Sequence, residues 1–355
     1  MIKSFKIGNR QIGNGNPVFV VAELSGNHNG SIKNALDMVY SAKEAGADAI
    51  KLQTYTPDTI TLKTSKKDFL IEEGSPWSKY KNLWNLYNKA HTPWEWHKEI
   101  FTTAKKLGLE VFSSPFDESA VDFLVDLNVS AFKIASPEIN HIPLIEKVAK
   151  TKKPVIISSG LASVRDINLA IKTLRSNGCS NVILLKCTSA YPTPANEANL
   201  ITIYDIPKKF KVFSGLSDHT SGIISPVIAI SFGAVLIEKH FKGKYKNPSV
   251  DSFFSLNEKE FSEMVNGIRF AEQAIGKKFY GVSDSAKVSL SGRRSIYTSK
   301  KIKKGERISE DNIKVVRPGF GMSPKNYKNL LGNIAKSDID FGEKMTWNKV
   351  IKKDK

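Results

Sequence analysis

The chain has 355 residues, of which 41% are hydrophobic, and a formal net charge of +18. This length and composition predict a folded protein with a large core and exclude a disordered or low-complexity chain. The longest apolar runs, such as 154–157 and 182–185, have the length of strands and exclude a membrane-spanning helix. Because residues 1–17 are polar and lack the apolar core of a secretory signal, we predict a cytoplasmic protein with no membrane partner.

The excess of positive charge raises the alternative of a nucleic-acid-binding protein. The lysines are dispersed along the chain, however, and no aromatic-interleaved RNA-binding motif occurs. We therefore expect no nucleic-acid partner and interpret the charge as a field that recruits small anionic substrates. The two cysteines, Cys179 and Cys187, exclude a disulfide framework, and Cys187 is predicted to be an inert core residue.

Short β-branched runs alternate with longer amphipathic segments between Pro17 and about Gly276. This alternation is typical of repeated β-α units around a parallel sheet. The predicted helices include 31–45, 94–107 and 167–176, where apolar residues recur at intervals of three and four. The eight predicted strands span 18–23, 49–54, 110–114, 131–135, 155–158, 182–187, 212–216 and 235–239.

Eight strands in about 260 residues predict an α/β fold of the TIM (β/α)8 barrel type, in which the loops after the strands form the active site. A doubly wound open sheet is the alternative, but residues 24–30 lack the glycine spacing of a dinucleotide-binding loop. The interval 55–93 is too long for a routine connection, so we predict an ordered excursion over the barrel mouth. Its aromatic residues, which include Trp77 and Tyr87, are interpreted as packing rather than as a sugar platform.

The composition changes towards the C-terminal end of the sequence. We predict a barrel domain over 1–280, a linker rich in Lys, Ser and Gly over 281–294, and a small β-rich domain over 295–355. About 60 residues are marginal for independent stability, so we expect this domain to dock on a barrel.

Unexpected polar residues fall at the ends of the predicted strands, where a charge is unfavourable unless it is paired or used. In a barrel these ends meet at one mouth. Ammonium groups and hydroxyls gathered there can clamp a phosphate and a carboxylate. The polar residues concerned are Glu23, Lys51, Gln53, Lys133, Ser136, Glu138, Ser158, Lys186, Tyr191, Ser217, His219, Glu238 and His240.

His219 and His240 follow consecutive predicted strands. Two imidazoles with nearby carboxylates and open positions suit a divalent metal such as Mn²⁺. Two other interpretations stay open: an aldolase that uses Lys133 or Lys186 as a Schiff-base nucleophile, and a carbohydrate-binding or ice-binding protein built around the C-terminal domain. His28 lies in a turn-forming context and is interpreted as structural.

These residues lie in motifs that resemble those of the sialic acid synthase family over nearly the whole chain. The C-terminal part resembles that family's antifreeze-like (SAF, β-clip) domain, with Arg293-Arg294-Ser295 and Arg317-Pro318-Gly319 as landmarks. Residues 83–97 are similar to the pseudaminic acid synthase subgroup. The motifs include Asn27-His28-Asn29-Gly30, Lys51-Leu52-Gln53-Thr54, Gly215-Leu216-Ser217-Asp218-His219-Thr220 and Glu238-Lys239-His240-Phe241.

The resemblance implies a role for each candidate residue. His219 and His240 would hold a divalent metal, Mn²⁺ with Mg²⁺ or Co²⁺ as alternatives, and the chain would form a homodimer in which one subunit's small domain covers the other's barrel. The implied catalytic residues are Glu23, Glu138, Lys51 and Lys133. The two lysines would also hold phosphoenolpyruvate, together with Ser136, Ser158 and Ser217. The sugar would contact Gln53, Tyr191, Asp251 and Arg317.

The reaction implied by the resemblance is the condensation of phosphoenolpyruvate with an N-acetylated amino-sugar aldehyde, with release of phosphate. The subgroup implies pseudaminic acid, made from 2,4-diacetamido-2,4,6-trideoxy-L-altrose. An N-acetylneuraminate or legionaminate synthase is the alternative, followed by another phosphoenolpyruvate-using barrel synthase. One departure from the family pattern is the run Asn247-Pro248-Ser249-Val250-Asp251-Ser252, which replaces a glycine-rich segment before the aspartate.

Overall fold

The computed structural model describes residues 2–244 and 248–352. The chain forms two compact units, Met1–Gly276 and Lys277–Lys355. Among the described residues, no helix is long and apolar enough to cross a membrane.

A closed parallel barrel forms the centre of the first unit. After a hairpin of β1 Phe5–Ile7 and β2 Arg10–Ile12, the described residues form eight barrel strands, which pair in chain order. The last barrel strand pairs with both the first and the seventh, which closes the ring. The barrel strands are β3 Phe19–Glu23, β4 Ala49–Thr54, β5 Glu110–Pro115, β6 Phe132–Ile134, β7 Val155–Ser158, β8 Val182–Cys187, β9 Phe213–Asp218 and β10 Leu236–Gly243.

Helices follow the strands and cover the outside of the barrel. In the helix over 142–150, for example, Leu144, Ile145, Val148 and Ala149 form a buried apolar face. A short strand, β11 Leu256–Asn257, comes directly before the last of these helices. The helices of this unit are α1 Ile32–Glu44, α2 Pro57–Ile60, α3 Leu83–Ala90, α4 His97–Lys106, α5 Glu118–Asp126, α6 Ile142–Lys150, α7 Val164–Ser176, α8 Thr202–Phe210, α9 Ile224–Ser231 and α10 Glu258–Ile275.

The predicted TIM barrel is confirmed, and the open-sheet alternative is wrong because β10 hydrogen-bonds to β3. The strands β9 and β10 run beyond their predicted ends at 216 and 239, since the polar residues that follow remain buried and paired within the sheet. The excursion 55–93 contains α2, α3 and short 3-10 turns. The α-helix predicted from 94 begins instead at His97, after a 3-10 turn over Trp94–Trp96.

The second unit has small antiparallel sheets and a core of its own. Strand β12 Ser295–Thr298 pairs with β13 Ile313–Val316, and β14 Ile334–Ala335 pairs with β15 Val350–Ile351. One short helix, α11, spans Tyr327–Leu330. The buried core includes Ile296, Ile302, Leu330 and Met345. The prediction of a small β-rich domain after the barrel is confirmed.

Candidate active site

Strand register brings the predicted polar residues together at the carboxyl ends of the barrel strands. Glu23 on β3 lies directly across from Lys51 on β4 and from His240 on β10. Ser217 on β9 lies across from Glu238 on β10. Because side chains alternate between the two faces of a strand, these groups share the face that lines the barrel interior.

Four buried charges form the centre of this cluster. Lys51 Nζ lies 2.6 Å from Glu23 Oε2 and 3.7 Å from Glu238 Oε1, and Lys133 Nζ lies 3.5 Å from the same oxygen of Glu238. Ser217 Oγ donates a hydrogen bond to Glu238 Oε1 at 3.2 Å. Two ammonium groups and two carboxylates cancel in formal charge, so a dianion or trianion bound beside them needs further positive charge nearby.

The surroundings of the two lysines set the direction of their pKa shifts. Burial lowers the pKa of both ammonium groups. For Lys51 the carboxylates of Glu23 and Glu238 together outweigh burial and raise the pKa overall. For Lys133, whose carboxylate partner Glu238 lies 3.5 Å away, burial dominates and the pKa stays lowered. Burial also raises the pKa of Glu23, and Lys51 opposes that shift.

Hydroxyl groups and a backbone amide lie close together beside this cluster. The side-chain oxygen of Ser158 is buried and has no hydrogen-bond partner within the described part of the chain. Gly160 N donates to Ser136 Oγ at 3.0 Å, and a Cβ at Gly160 would lie 2.8 Å from Ser136 Oγ and 2.3 Å from Ser189 Oγ. Only glycine therefore fits beside these serine hydroxyls without a clash. The unpaired hydroxyl of Ser158 gives a bound anion a ready donor.

The two predicted metal ligands lie side by side. The ring centroids of His219 and His240 are 5.3 Å apart. His219 Nδ1 lies 3.0 Å from the carbonyl oxygen of Thr188, which places a proton on Nδ1 and leaves Nε2 as a lone-pair donor. Burial, followed by the proximity of His219, lowers the pKa of His240 well below its usual range, and Nδ1 of His240 is a buried atom with no described partner. Two adjacent imidazoles with open nitrogens fit a divalent metal.

A third protein ligand is not evident, because the described residues contain no metal-type cluster of three or more His, Cys, Asp or Glu side chains. A metal held by the two histidines would therefore keep several positions for water or substrate oxygens. Such open coordination is typical of catalytic rather than structural metal sites.

A cavity of about 680 Å³ opens above the cluster. Gln53, Glu138, Tyr191, His240 and Asp251 form its polar side. Gln53 Nε2 donates to Glu23 Oε1 at 3.0 Å. The site thus combines a charged floor with a chamber large enough for a sugar-sized ligand.

Aromatic rings and a short loop hold the far side of this cavity. The ring of Tyr191 lies 4.4 Å from that of His219 and 5.5 Å from that of Trp77, measured between centroids. Trp77 Nε1 donates to the carbonyl oxygen of Val250 at 3.1 Å, which connects the excursion to the loop that carries Asp251. Asp251 accepts a hydrogen bond from Ser25, and burial raises its pKa.

The excursion 55–93 contributes the apolar side. Leu83, Leu86, Tyr87 and Ala90 lie at intervals of three and four on α3, and all four line the cavity. The interpretation of Trp77 and Tyr87 as packing residues is therefore incomplete. Trp94 and Trp96 do serve packing, against Phe123 and His28.

Glu138 differs from Glu23 and Glu238 in having no ion-pair partner among the described residues. Burial raises its pKa to about 7, and its Oε2 atom has no hydrogen bond within the described residues. A carboxyl group with such a pKa exchanges protons readily near neutrality, as an acid or base catalyst must.

The raised pKa predicts a pH-dependent stability that the variant Glu138→Gln should remove. Because the folded-state pKa lies above its ordinary value of 4.5, folding favours the protonated carboxyl, and stability falls as pH rises from about 4.5 to about 7. The free energy of unfolding is measured with denaturant at pH 5 and at pH 8. Between these two values, the free energy of unfolding of the variant should rise relative to that of the wild type by about 2 kcal/mol. Equal pH dependence in both proteins would contradict the shift, and exposed Glu146→Gln serves as the matched control.

Sequence reasoning overlooked several residues of the site. The sequence pattern places Glu238 at a strand end but predicts no role for it, and it predicts none for Ser114, whose Oγ accepts from Lys51 Nζ at 3.3 Å. Cys187, expected to be inert in the core, lies 3.9 Å from His219 Nδ1 and 3.4 Å from Ser136 Oγ. Burial raises the pKa of this thiol, but His219, with smaller contributions from Ser136 and Lys133, outweighs burial and lowers the pKa to about 7. The prediction that Cys187 is inert is incomplete, because His219, which is distant in sequence, follows β9, and β9 pairs with the strand of Cys187.

One residue of the predicted site belongs to the second unit, and one residue of the altered run is outside the described residues. Arg317 belongs to the second unit and has an exposed side chain, so its contact with a sugar stays a prediction. Asn247, the first residue of the altered run before Asp251, lies outside the described residues. His28 is buried with Nδ1 accepting from Gly30 N at 3.1 Å, as expected for a structural residue.

Comparison with known proteins agrees with this geometry. The NeuB family matches residues 38–280, and the SAF domain matches residues 293–351. The pseudaminic acid synthase of Campylobacter jejuni (strain 81-176) is 47% identical to the chain, and the match covers 94% of this chain and 97% of that protein. The pseudaminic acid synthase of Helicobacter pylori is 44% identical, and the match covers 90% of this chain and 94% of that protein. The N,N'-diacetyllegionaminic acid synthase of Legionella pneumophila is 34% identical over 94% of both chains.

A solved structure gives the same result for the fold. The N-acetylneuraminic acid synthetase of Leptospira borgpetersenii, in complex with citrate, superposes with a TM-score of 0.70 and is 29% identical. The match covers 82% of this chain and 96% of that one. The resemblance to sialic acid synthases, and within them to pseudaminic acid synthases, is confirmed. The chain therefore belongs to the NeuB family, carries a SAF domain, and is an enzyme of the sialic acid synthase type.

Proposed function

We propose that this enzyme condenses phosphoenolpyruvate with 2,4-diacetamido-2,4,6-trideoxy-L-altrose, forming pseudaminic acid and phosphate. The observation that carries the proposal is the near full-length similarity to pseudaminic acid synthases, at 44–47% identity, against 34% for a legionaminic acid synthase. The cavity supports it, because a charged floor and an apolar wall suit a substrate pair with an anionic end and a deoxygenated, N-acylated end.

Phosphoenolpyruvate would bind at the floor. Lys51 and Lys133 would meet its carboxylate and phosphate, and the unpartnered hydroxyl of Ser158, with those of Ser136 and Ser217, would donate hydrogen bonds. Glu238, which lies 3.7 Å from Lys51 and 3.5 Å from Lys133, would balance the charge of these two ammonium groups. Holding both reactants in register removes part of the entropic barrier, a contribution that reaches roughly 7 to 11 kcal/mol in favourable cases.

Synthases of the NeuB family are metal-dependent. In this chain His219 and His240 would hold a divalent metal, which we propose to be Mn²⁺, with Mg²⁺ or Co²⁺ as alternatives. When bound, the ion would supply positive charge next to the balanced cluster and polarise the aldehyde oxygen of the sugar as a Lewis acid.

The two carboxylates Glu23 and Glu138 would divide the proton transfers. Attack of the enol carbon on the aldehyde creates an alkoxide that needs a proton, and Glu138, with a pKa of about 7, keeps one available near neutrality. Water must then add to C2 of the former phosphoenolpyruvate, and Glu23, which contacts Lys51 and Gln53, would accept its proton. The tetrahedral intermediate would lose phosphate by cleavage of its C–O bond.

The sugar would occupy the cavity, with Gln53, Tyr191 and Asp251 as its polar contacts. Its methyl group and acetamido methyls would face the wall of Leu83, Leu86 and other apolar residues. Each methylene placed against such a wall contributes about 0.8 kcal/mol through burial. A fully hydroxylated sugar would lose this gain.

The wall predicts a change in specificity for the variant Leu86→Asn. Since asparagine has nearly the shape of leucine but presents an amide, kcat/KM for the trideoxy sugar should fall about tenfold, with KM for phosphoenolpyruvate unchanged. N-acetylmannosamine, which has a hydroxyl at C6, should lose less. Leu86→Met keeps the apolar surface and serves as the control. Equal losses for both sugars in Leu86→Asn would show that the wall does not discriminate between them.

The choice among sugars is tested by competition. Purified enzyme with Mn²⁺ and limiting phosphoenolpyruvate is given equal amounts of the altrose derivative, the corresponding 2,4-diacetamido-trideoxy mannose, and N-acetylmannosamine, and the products are separated by mass and chromatography. We expect the altrose-derived product to dominate. A dominant product from another sugar would keep the family reaction but overturn the pseudaminic assignment.

We also propose a homodimer in which Arg317 of one subunit contacts the sugar bound in the partner's barrel, and we place the enzyme in the cytoplasm. Both proposals rest on the family resemblance. Light scattering after size exclusion tests the first of them, since a monomer at micromolar concentration would contradict it.

A further inference from the structure

A second buried ion pair lies next to the histidine pair, outside the substrate cavity. Lys239 Nζ and Asp218 Oδ2 are 2.5 Å apart, and the two side chains are 0% and 2% exposed. The residues are direct neighbours across β9 and β10. Because side chains alternate along a strand, Lys239 points away from the face that carries Glu238 and His240.

The ion pair closes a ring of hydrogen bonds around the backbone of His219. Asp218 Oδ1 accepts from Thr220 N at 3.1 Å, and Asp218 Oδ2 accepts from Thr220 Oγ1 at 3.1 Å. Lys239 Nζ also donates to the carbonyl oxygen of Thr220. The residues on both sides of His219 are therefore tied to β10, the strand that carries His240.

The same region fixes the loop after β8. Thr193 N donates to the carbonyl oxygen of His219 at 2.9 Å, and Thr193 Oγ1 donates to Thr188 O at 3.1 Å. Thr188 O in turn accepts from His219 Nδ1 at 3.0 Å. Backbone and ring of His219 are thus both fixed, along with the loop that presents Tyr191.

Stability alone does not account for the ion pair. Removing two charges from water costs as much as or more than their attraction returns, so apolar residues of similar volume are often neutral or stabilising in such positions. The geometric effect of the pair is specific, however, because it couples the two strand ends that carry the imidazoles.

We propose that Asp218 and Lys239 are positioning residues, whose ion pair holds His219 and His240 at the separation required to bind one divalent cation. This inference rests on the proposed metal role of the two histidines. Groups that orient metal ligands without touching the metal typically contribute tenfold to a hundredfold in affinity. The ion pair therefore determines metal affinity, although neither residue reaches the cavity.

The test measures Mn²⁺ binding to the metal-free protein from the electron paramagnetic resonance signal of unbound Mn²⁺. The variants are Asp218→Asn, Lys239→Met and the double variant, which leaves no uncompensated charge in the core. We expect each to weaken Mn²⁺ binding about tenfold to a hundredfold. The double variant should recover the folding stability lost in the single variants, while its Mn²⁺ affinity stays low.

A matched control comes from the opposite end of the barrel. Asp48 pairs there with Arg10 at 2.5 Å and with Arg269 at 3.0 Å. Asp48→Asn should destabilise the fold and leave Mn²⁺ affinity within about twofold of the wild type. If the double variant binds Mn²⁺ like the wild type, or Asp48→Asn weakens binding equally, the positioning role is overturned. Absence of Mn²⁺ binding in the wild type would instead overturn the metal assignment itself, and the inference with it.

Discussion

Replacing His219 with alanine is expected to lower the rate of condensation about a thousandfold or more. A factor of a thousand corresponds to roughly 4 kcal/mol, within the several kcal/mol that Lewis-acid assistance contributes. Without His219, only His240 of the proposed pair of metal ligands would remain. The described residues contain no cluster of three or more His, Cys, Asp or Glu side chains that could bind the metal in its place. The measurement is phosphate release at saturating substrates and Mn²⁺, together with the Mn²⁺ content of the protein.

The control for this variant is His141→Ala, which removes an exposed imidazole at the start of α6. It should retain activity and Mn²⁺ content. Turnover of His219→Ala at the wild-type rate, with the same dependence on Mn²⁺, would contradict the assignment of the metal site.

The second large effect is expected for Lys133→Met, which keeps the length of the side chain and removes its charge. Lys133 is buried and lies 3.5 Å from Glu238, so methionine at this position would remove one of the two ammonium groups that meet a bound anion. We expect kcat/KM for phosphoenolpyruvate to fall by roughly a hundredfold to several thousandfold, because loss of one partner from a buried charged contact costs about 3 to 5 kcal/mol. KM for the sugar should change little.

A double variant separates loss of the anion site from collapse of the cluster. In Lys133→Met the carboxylate of Glu238 keeps only Lys51, at 3.7 Å, and Ser217 as described partners. Adding Glu238→Gln restores the charge balance and should restore stability to denaturant without restoring the use of phosphoenolpyruvate. Recovery of activity in the double variant would show that Lys133 serves the fold rather than the substrate, and Lys147→Met on the surface is the control.

The barrel could be predicted from the sequence because its strands are short, β-branched and regularly separated by amphipathic helices. The site could be located because Glu23, Lys51 and Lys133 are charged residues inside otherwise apolar strands. Such charges are unfavourable without partners, and parallel strands place their carboxyl ends together. Fold and position of the site thus follow from patterns that extend over a few neighbouring residues.

The contacts between strands could not be predicted in the same way. Glu238 faces Lys51 and Lys133 only because of the register and curvature of the closed barrel. Cys187 meets His219 across β8 and β9, although 32 residues separate them in the chain. The face of α3 that carries Leu83 and Leu86 has the period of a core helix, and the sequence does not reveal that this face meets a cavity.

Formation of the carbon–carbon bond is the central claim, and isotopic labelling tests it most directly. Phosphoenolpyruvate carrying carbon-13 at all three carbons is incubated with the enzyme, Mn²⁺ and the altrose derivative, and the products are analysed by mass spectrometry while released phosphate is counted. We predict one labelled nine-carbon sugar acid for each phosphate, with the label at its first three carbons. Phosphate release that leaves the label in pyruvate, or no release with any amino sugar, would contradict the proposed function.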